Sequence, residues 1–164
     1  MKTLICLLLI FSSPIIIKLD YYKGEEVIFP KEYRNYNLSY PMQTFTPTIN
    51  QVIRAEKIMH KDYQNFKVKL YDSIYINPKY DLKDNSPKTF IKHFRNYNRQ
   101  YSGYINENKD SIVFIGLLNF NSKKKITPYF DNWKKEIFLC NGTFCKKNYR
   151  QCKVNLTTCK VIGI

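Results

Sequence analysis

The chain has 164 residues, the size of one domain, and 44% of them are hydrophobic, which is enough to bury a core and excludes a disordered chain. Its 27 Lys and Arg residues outnumber its 13 Asp and Glu residues, for a net charge of +14. Such a charge favours association with nucleic acid, anionic lipid, acidic polysaccharide or acidic protein. The basic residues are scattered, however, so a solvated basic surface is the simpler interpretation.

The N-terminus has the pattern of an export signal. Met1 and Lys2 form a short positive start, and the apolar run 4–11 and the apolar triplet 15–17 follow. A charged start before an apolar stretch of about 7–15 residues is typical of a signal peptide, whereas a membrane-spanning helix needs about 20 apolar residues. We therefore expect residues 1–18 to be a signal peptide or a short hydrophobic anchor, with a buried first strand as the alternative.

Four cysteines remain beyond this leader, with the spacing C-x4-C-x6-C-x6-C: Cys140, Cys145, Cys152 and Cys159. An even number of cysteines in an exported chain predicts disulfides, and a Cys140–Cys152 bridge would staple the last hairpin. Free thiols and a zinc site are the alternatives, but the spacing lacks the paired short knuckles of structural zinc sites. Glycosylation sequons, which matter only in a host that glycosylates, begin at Asn37, Asn141 and Asn155.

The residue pattern of the N-terminal half predicts an irregular segment, then a helix and a short strand. Residues 19–45 are rich in tyrosine and charge without a sustained period, so the folded domain is expected over 46–164. Thr46 as N-cap and Pro47 at the first helical position begin a helix over 47–60. Alternating apolar residues predict a short strand over 66–70.

The C-terminal half predicts a second helix and then strands. Ser86-Pro87 repeats the helix start, before an apolar stripe over 87–98. A hairpin of 101–105 with 112–120, a third strand over 133–140 and a fourth over 152–161 follow. The expected fold class is α+β, with two helices packed on a mostly antiparallel sheet of about four strands, as in a cystatin-like fold.

No residues form a recognisable catalytic, cofactor-binding or metal-binding motif. His60 and His93 lie on predicted helices without a second ligand at metal-binding spacing, and the chain has no nucleophile elbow or glycine-rich phosphate loop. A Cys–His pair that meets only in the fold stays open. We expect no cofactor, no metal and no enzyme activity, and keep an enzyme with a noncontiguous site as an alternative.

The most motif-like polar residues stand where the second helix meets the sheet: Arg99, Tyr101 and Tyr104. One interpretation is a contact for an anion or a protein partner. The structural interpretation is that Arg99 caps the helix C-terminus while the tyrosines pack at the junction.

Four motifs occur in order along the chain: Thr46-Pro47-Thr48 with Ala55-Glu56, RQYSGY at 99–104, NWKKE at 132–136 and VNLT at 154–157. Over about residues 46–162 they resemble a family of small secreted or lipid-anchored proteins of bacterial cell envelopes. The resemblance implies export and a single α+β domain, and it transfers no catalytic residue. The chain departs from that family because it has no lipid-accepting cysteine after the leader and four cysteines near the last hairpin, where the family keeps one.

These observations lead to the expectation of an exported, monomeric, non-enzymatic binding or inhibitory module in the periplasm, at the cell surface or outside the cell. Its partner would be a protein or an anionic surface. A structural envelope protein held to anionic surfaces by its charge, including peripheral association with a membrane, is the alternative. A nucleic-acid partner is not expected, because an exported protein rarely meets one and the chain has no RNP-type run or zinc finger.

Overall fold

The computed structural model describes residues 13–33, 43–71, 87–120, 130–138 and 143–163. Within them, seven strands form one mixed sheet. The strands are β1 (Ile15–Ile17), β2 (Glu26–Ile28), β3 (Gln43–Phe45), β4 (Asn98–Ile105), β5 (Ser111–Leu118), β6 (Tyr149–Asn155) and β7 (Lys160–Gly163). The helices are α1 (Ile49–Tyr71), α2 (Pro87–Phe94) and α3 (Thr143–Asn148).

The sheet runs in the order β1-β2-β4-β5-β6-β7. Strands β2 and β3 share one side of β4: β2 pairs in parallel with its first half, and β3 pairs antiparallel with its second half. The other pairs are antiparallel. Glu26 lies opposite Arg99 in the parallel pair, which brings two charged residues side by side in the sheet.

Each face of the sheet has its own apolar core, because successive side chains of a strand point to opposite faces. On one face, Val52 and Met59 of α1 and Phe94 of α2 pack against strand residues such as Ile115. On the other face, an aromatic-rich cluster buries Phe114 beneath residues of the 130–138 segment and of α3. The sheet is therefore a central layer, with α1 and α2 together on one side.

Helix α1 begins with a capping box. Thr48 Oγ1 accepts from the Gln51 amide at 3.3 Å, while Gln51 Oε1 accepts from the Thr48 amide at 2.9 Å. The N-cap is therefore Thr48, and Thr46 instead accepts a hydrogen bond from the Lys31 amide. The chain from 60 to 71 contains no Gly or Pro, and the helix continues through 66–70, so the strand predicted there is wrong.

The predicted fold class is wrong in its strand count and in its sheet, which is mixed and seven-stranded. Three strands of three residues each lie before α1, too short to carry a recognisable alternation. The segment 133–138 forms turns, held by bonds such as Glu136 N to Asn132 O at 2.9 Å. The predicted fourth strand is two strands, β6 and β7, separated by a turn at 156–159. The hairpin predicted after residue 100 is confirmed as β4 and β5.

The predicted leader falls largely outside the described residues, which begin at 13, and its triplet 15–17 forms β1. No described helix is both long and apolar enough to cross a membrane. Of the sequon asparagines, Asn37 and Asn141 lie outside the described residues, and Asn155 is buried with its amide bonded to Asp110 at 2.8 Å. The boundaries at 18 and 45 stay predictions.

Gly24 allows the N-terminal segment to cross closely over the end of α2. A Cβ at this position would lie 2.0 Å from the Tyr97 carbonyl oxygen, whereas a Cβ at Gly116 would lie 3.4 Å from its nearest neighbour. We expect Gly24→Ala to lower the free energy of unfolding by about 1–3 kcal/mol, because backbone has to move. The matched control Gly116→Ala should cost less than about 1 kcal/mol. Equal effects of the two variants in urea unfolding would contradict the close crossing.

Candidate functional site

A buried polar cluster lies between α1 and the sheet, and Glu56 is at its centre. Its Oε1 accepts from Arg99 Nε at 3.2 Å and from the Tyr101 hydroxyl at 2.8 Å. Its Oε2 accepts from the Tyr22 hydroxyl and lies 3.3 Å from His60 Nε2. Both Glu56 and Arg99 are fully buried, so this carboxylate joins α1, β4 and the N-terminal segment in the interior.

The Arg99 guanidinium caps the C-terminal end of α2. Its Nη1 donates to the Tyr97 carbonyl at 2.7 Å and its Nη2 donates to the Phe94 carbonyl at 3.0 Å. A positive charge at the C-terminal end of a helix is favourable, because unpaired carbonyls give that end a partial negative charge. The guanidinium also lies 3.1 Å from the centroid of the Tyr22 ring, a cation–π contact. Arg99 thus fills the structural role considered from the sequence.

The charges in the cluster are not balanced equally. Burial would raise the pKa of Glu56, but the Arg99 guanidinium and the hydrogen bonds from His60 and Tyr22 together hold that pKa below its usual value. Among the described residues, the hydrogen bonds that Glu26 accepts come from the Leu19 amide, at 3.1 and 3.3 Å, and burial raises the pKa of Glu26 to about 7. The negative charge of Glu56 is therefore well compensated by its neighbours, whereas that of Glu26 is poorly compensated.

Tyr21 lies beside both carboxylates. Burial, and then the negative charges of Glu56 and Glu26, raise the pKa of Tyr21 to about 12. Its buried hydroxyl has no hydrogen-bond partner among the residues that the structure describes. In the described residues, no group of three or more His, Cys, Asp or Glu side chains could hold a metal ion.

The three polar residues singled out from the sequence are all buried: Arg99 and Tyr101 are 0% exposed and Tyr104 is 4% exposed. Arg99 and Tyr101 meet at Glu56, while Tyr104 lies further along β4. A direct partner contact by these side chains stays a prediction. Of the two histidines, His60 joins the cluster and His93 is exposed on α2.

The predicted pairing of all four cysteines is wrong. Cys152 and Cys159 are free thiols, so the proposed Cys140–Cys152 bridge does not form. Cys152 is buried in the core beneath α1, whereas Cys159 is exposed in the turn between β6 and β7. Cys145 is disulfide-bonded and lies in the opposite core, and Cys140 lies outside the described residues.

On the outward side of the helix layer, the exposed charged side chains of residues 49–62 and 87–96 are all basic. These exposed cations, which we name the helical basic face, are Arg54, Lys57 and Lys61 on α1, Lys88 and Lys92 on α2, and Arg95 directly after α2. No exposed carboxylate lies in 49–62 or 87–96, because Glu56 is buried and Asp62 is half-buried and accepts the Val161 amide at 2.9 Å.

The layer on the other side of the sheet differs in charge. The segment 130–138 exposes Asp131 and Glu136 as well as Lys135, and its Lys134 forms an ion pair with Glu25 at 2.9 Å. Positive charge is thus concentrated on the helical side of the described residues, whereas the opposite side is mixed. A concentrated charge of one sign attracts a polyanion more strongly than the same charge spread evenly.

Comparison with known proteins yields a partial similarity. No protein-family model and no solved structure matches the chain. The chain is similar to the Ribosomal RNA small subunit methyltransferase C of Buchnera aphidicola subsp. Cinara cedri (strain Cc), with 34% identity over 107 residues. The matched stretch is 65% of this chain and 27% of the relative, so the chain spans about a quarter of the relative's length.

This similarity overturns the functional expectations drawn from the sequence. A relative named as a methyltransferase contradicts a non-enzymatic binding, inhibitory or structural envelope protein, and a relative named for ribosomal RNA contradicts export to the envelope or beyond. The expectation of export rested on a short apolar start, and apolar residues serve a strand equally well, as Ile15–Ile17 do in β1. The resemblance to a cell-envelope family stays a prediction.

The central residue of the cluster was missed, although the sequence carried a signal for it. Glu56 occupies an apolar position of the α1 stripe, between Val52 and Met59, and a carboxylate on a buried helix face requires a partner. Tyr22 and Glu26 gave no comparable signal, because their segment has no period.

The ion pair of Glu56 and Arg99 predicts that mutations of the two residues have strongly non-additive effects on the free energy of unfolding. Glu56→Gln or Arg99→Met alone leaves the other charge buried and unpaired, which we expect to cost about 3–5 kcal/mol. The double variant should cost clearly less than the sum of the two. Urea unfolding measures all three, and Lys134→Ala, which breaks an exposed pair, should cost less than about 1 kcal/mol. Additive losses would contradict a coupled pair.

The raised pKa of Glu26 predicts that the stability of the fold depends on pH. Its folded pKa of about 7 exceeds the usual 4.5, so between these values the unfolded chain has released a proton that the folded chain keeps. The contribution of this group to stability therefore falls as the pH rises from 4.5 to 7. Glu26→Gln, which still accepts the Leu19 amide, should raise the melting temperature at pH 8 but not at pH 4.5. An equal change at both pH values would contradict the raised pKa.

Proposed function

We propose that this protein binds RNA through the helical basic face. The observation that carries the proposal is the convergence of six exposed cations on α1, α2 and the residue after α2, with no exposed carboxylate among residues 49–62 and 87–96. Lys and Arg side chains on one face neutralise successive phosphates, and most of the affinity of such a surface comes from the counterions that the nucleic acid releases.

RNA is favoured over other polyanions by the similarity to a protein named for methylation of ribosomal RNA. The expectation that nucleic acid is not a partner rested partly on export, which the similarity contradicts, and partly on the lack of an RNP-type run or zinc finger, which a backbone-binding basic surface does not require. RNA methylation is the reaction that such binding would serve, and the proposal assigns no catalytic residue to it.

The electrostatic origin of the binding makes its salt dependence the informative measurement. Six phosphate contacts correspond to a slope of log K against log salt of about −4 for single strands and about −5 for duplexes. We expect a labelled ribosomal RNA fragment to bind at low salt with a slope in this range, and to be displaced poorly by phosphatidylserine vesicles. A slope near zero, no binding at low salt, or tighter binding to the vesicles would contradict the proposal.

A further inference from the structure

The basic surface continues beyond the helices onto the turn between β6 and β7. Helix α1 packs against both α2 and β7, so it lies between them on the helical side of the sheet. At its outer edge, Arg54 Nη2 donates to the Leu156 carbonyl at 2.8 Å and to Cys159 Sγ at 3.1 Å. Lys160 follows directly and is exposed. The cations thus form a band that runs from α2 over α1 to this turn.

The band is wide enough for several phosphates. Arg54 and Lys61 are seven residues apart on α1, a rise of about 10 Å at 1.5 Å per residue. Arg99 of β4 bonds to the C-terminal end of α2, and three strand spacings of about 4.8 Å separate β4 from β7, so the band is about 14 Å across in the other direction. A surface with these two dimensions can contact phosphates on both strands of a duplex.

The side chains along the band are of the kinds that bind the sugar–phosphate backbone of RNA. In the described part of the band the exposed ring is the imidazole of His93, which already contacts the rings of Phe94 and Tyr97, with centroids 4.6 and 6.1 Å away. Proteins that hold single strands add exposed aromatic rings on which the bases stack. The turn instead exposes Thr157 and Thr158, whose hydroxyls suit phosphate and ribose oxygens.

We propose that this band binds the backbone of double-stranded RNA, independently of base sequence, with the β6–β7 turn at one end of the contact. The inference rests on the proposed function, because it places the RNA and names its form. It extends the contact from the helical basic face to Cys159 and Lys160, which the charge on the helices alone does not require.

The two free thiols within the described part of the chain provide a direct test on the unmodified protein. Cys159 is exposed within the band and Cys152 is buried in the core, so in the folded protein a maleimide should label Cys159 and spare Cys152. Bound RNA hairpin should slow the labelling of Cys159 several-fold, as measured by mass spectrometry of the peptides. If Cys159 is labelled at an unchanged rate in a sample whose RNA is shown to be bound, the inference fails and the proposed function stands.

Charge-removing variants test the band independently of the thiol. We expect Lys57→Gln, Lys92→Gln and Lys160→Gln each to reduce the salt slope by about 0.9, one phosphate contact on a duplex. The matched control is Lys135→Gln, at an exposed lysine on the opposite layer, which should leave the slope unchanged. An unchanged slope for Lys160→Gln would remove the turn from the contact.

Competition distinguishes the form of the RNA. A hairpin duplex should displace the labelled RNA at a clearly lower concentration than an unstructured strand of the same length, and duplexes of unrelated sequence should compete equally. Preference for the single strand would overturn the assignment to duplex RNA while leaving RNA binding intact.

Discussion

The buried ion pair between Glu56 and Arg99 is the interaction at which three parts of the fold meet in the interior. Removing two charges from water costs several kcal/mol for each ion, and the pair repays this only if the remaining polar atoms are also bonded. Here Arg99 donates to two carbonyls at the end of α2, and Glu56 accepts hydrogen bonds from the hydroxyls of two tyrosines, one on β4 and one in the N-terminal segment. Helix, sheet and N-terminal segment are therefore coupled through one carboxylate.

The same pair sets the rotation of α1 about its axis. Each residue turns the helix by about 100°, so Arg54 and Lys61 lie about 140–160° away from Glu56. Once Glu56 is fixed against Arg99, these side chains have to point outward, away from the sheet. The buried polar cluster and the basic surface are in this way two sides of one helix, and a change in the cluster that rotates α1 would displace the cations as well.

The β4–β5 hairpin could be predicted from the sequence, because its strong local signal coincides with the final structure. Elements that depend on distant contacts could not be predicted. Strand β2 has three residues and pairs with β4, about 70 residues away along the chain, and the three-residue strand β1 is added to the sheet through β2. The N-terminal segment carries no period that would predict Tyr22 as a ligand of Glu56, whereas Glu56 itself, a carboxylate on an apolar stripe, could have been recognised.

The charge distribution shows most clearly why the order of residues along the chain did not predict the basic surface. The basic residues are scattered along the chain, in which no run of five or six occurs. Scatter along the chain is compatible with concentration in space: spacings of three and four residues, as in Arg54, Lys57 and Lys61, place side chains on one face of a helix. Lys88 and Lys92 of α2 and Arg95 directly after it repeat this spacing, and the packing of α2 beside α1 puts both sets on the same side of the sheet. Charge that recurs at helical spacing, rather than in contiguous runs, is therefore the pattern in this sequence that indicates a basic surface.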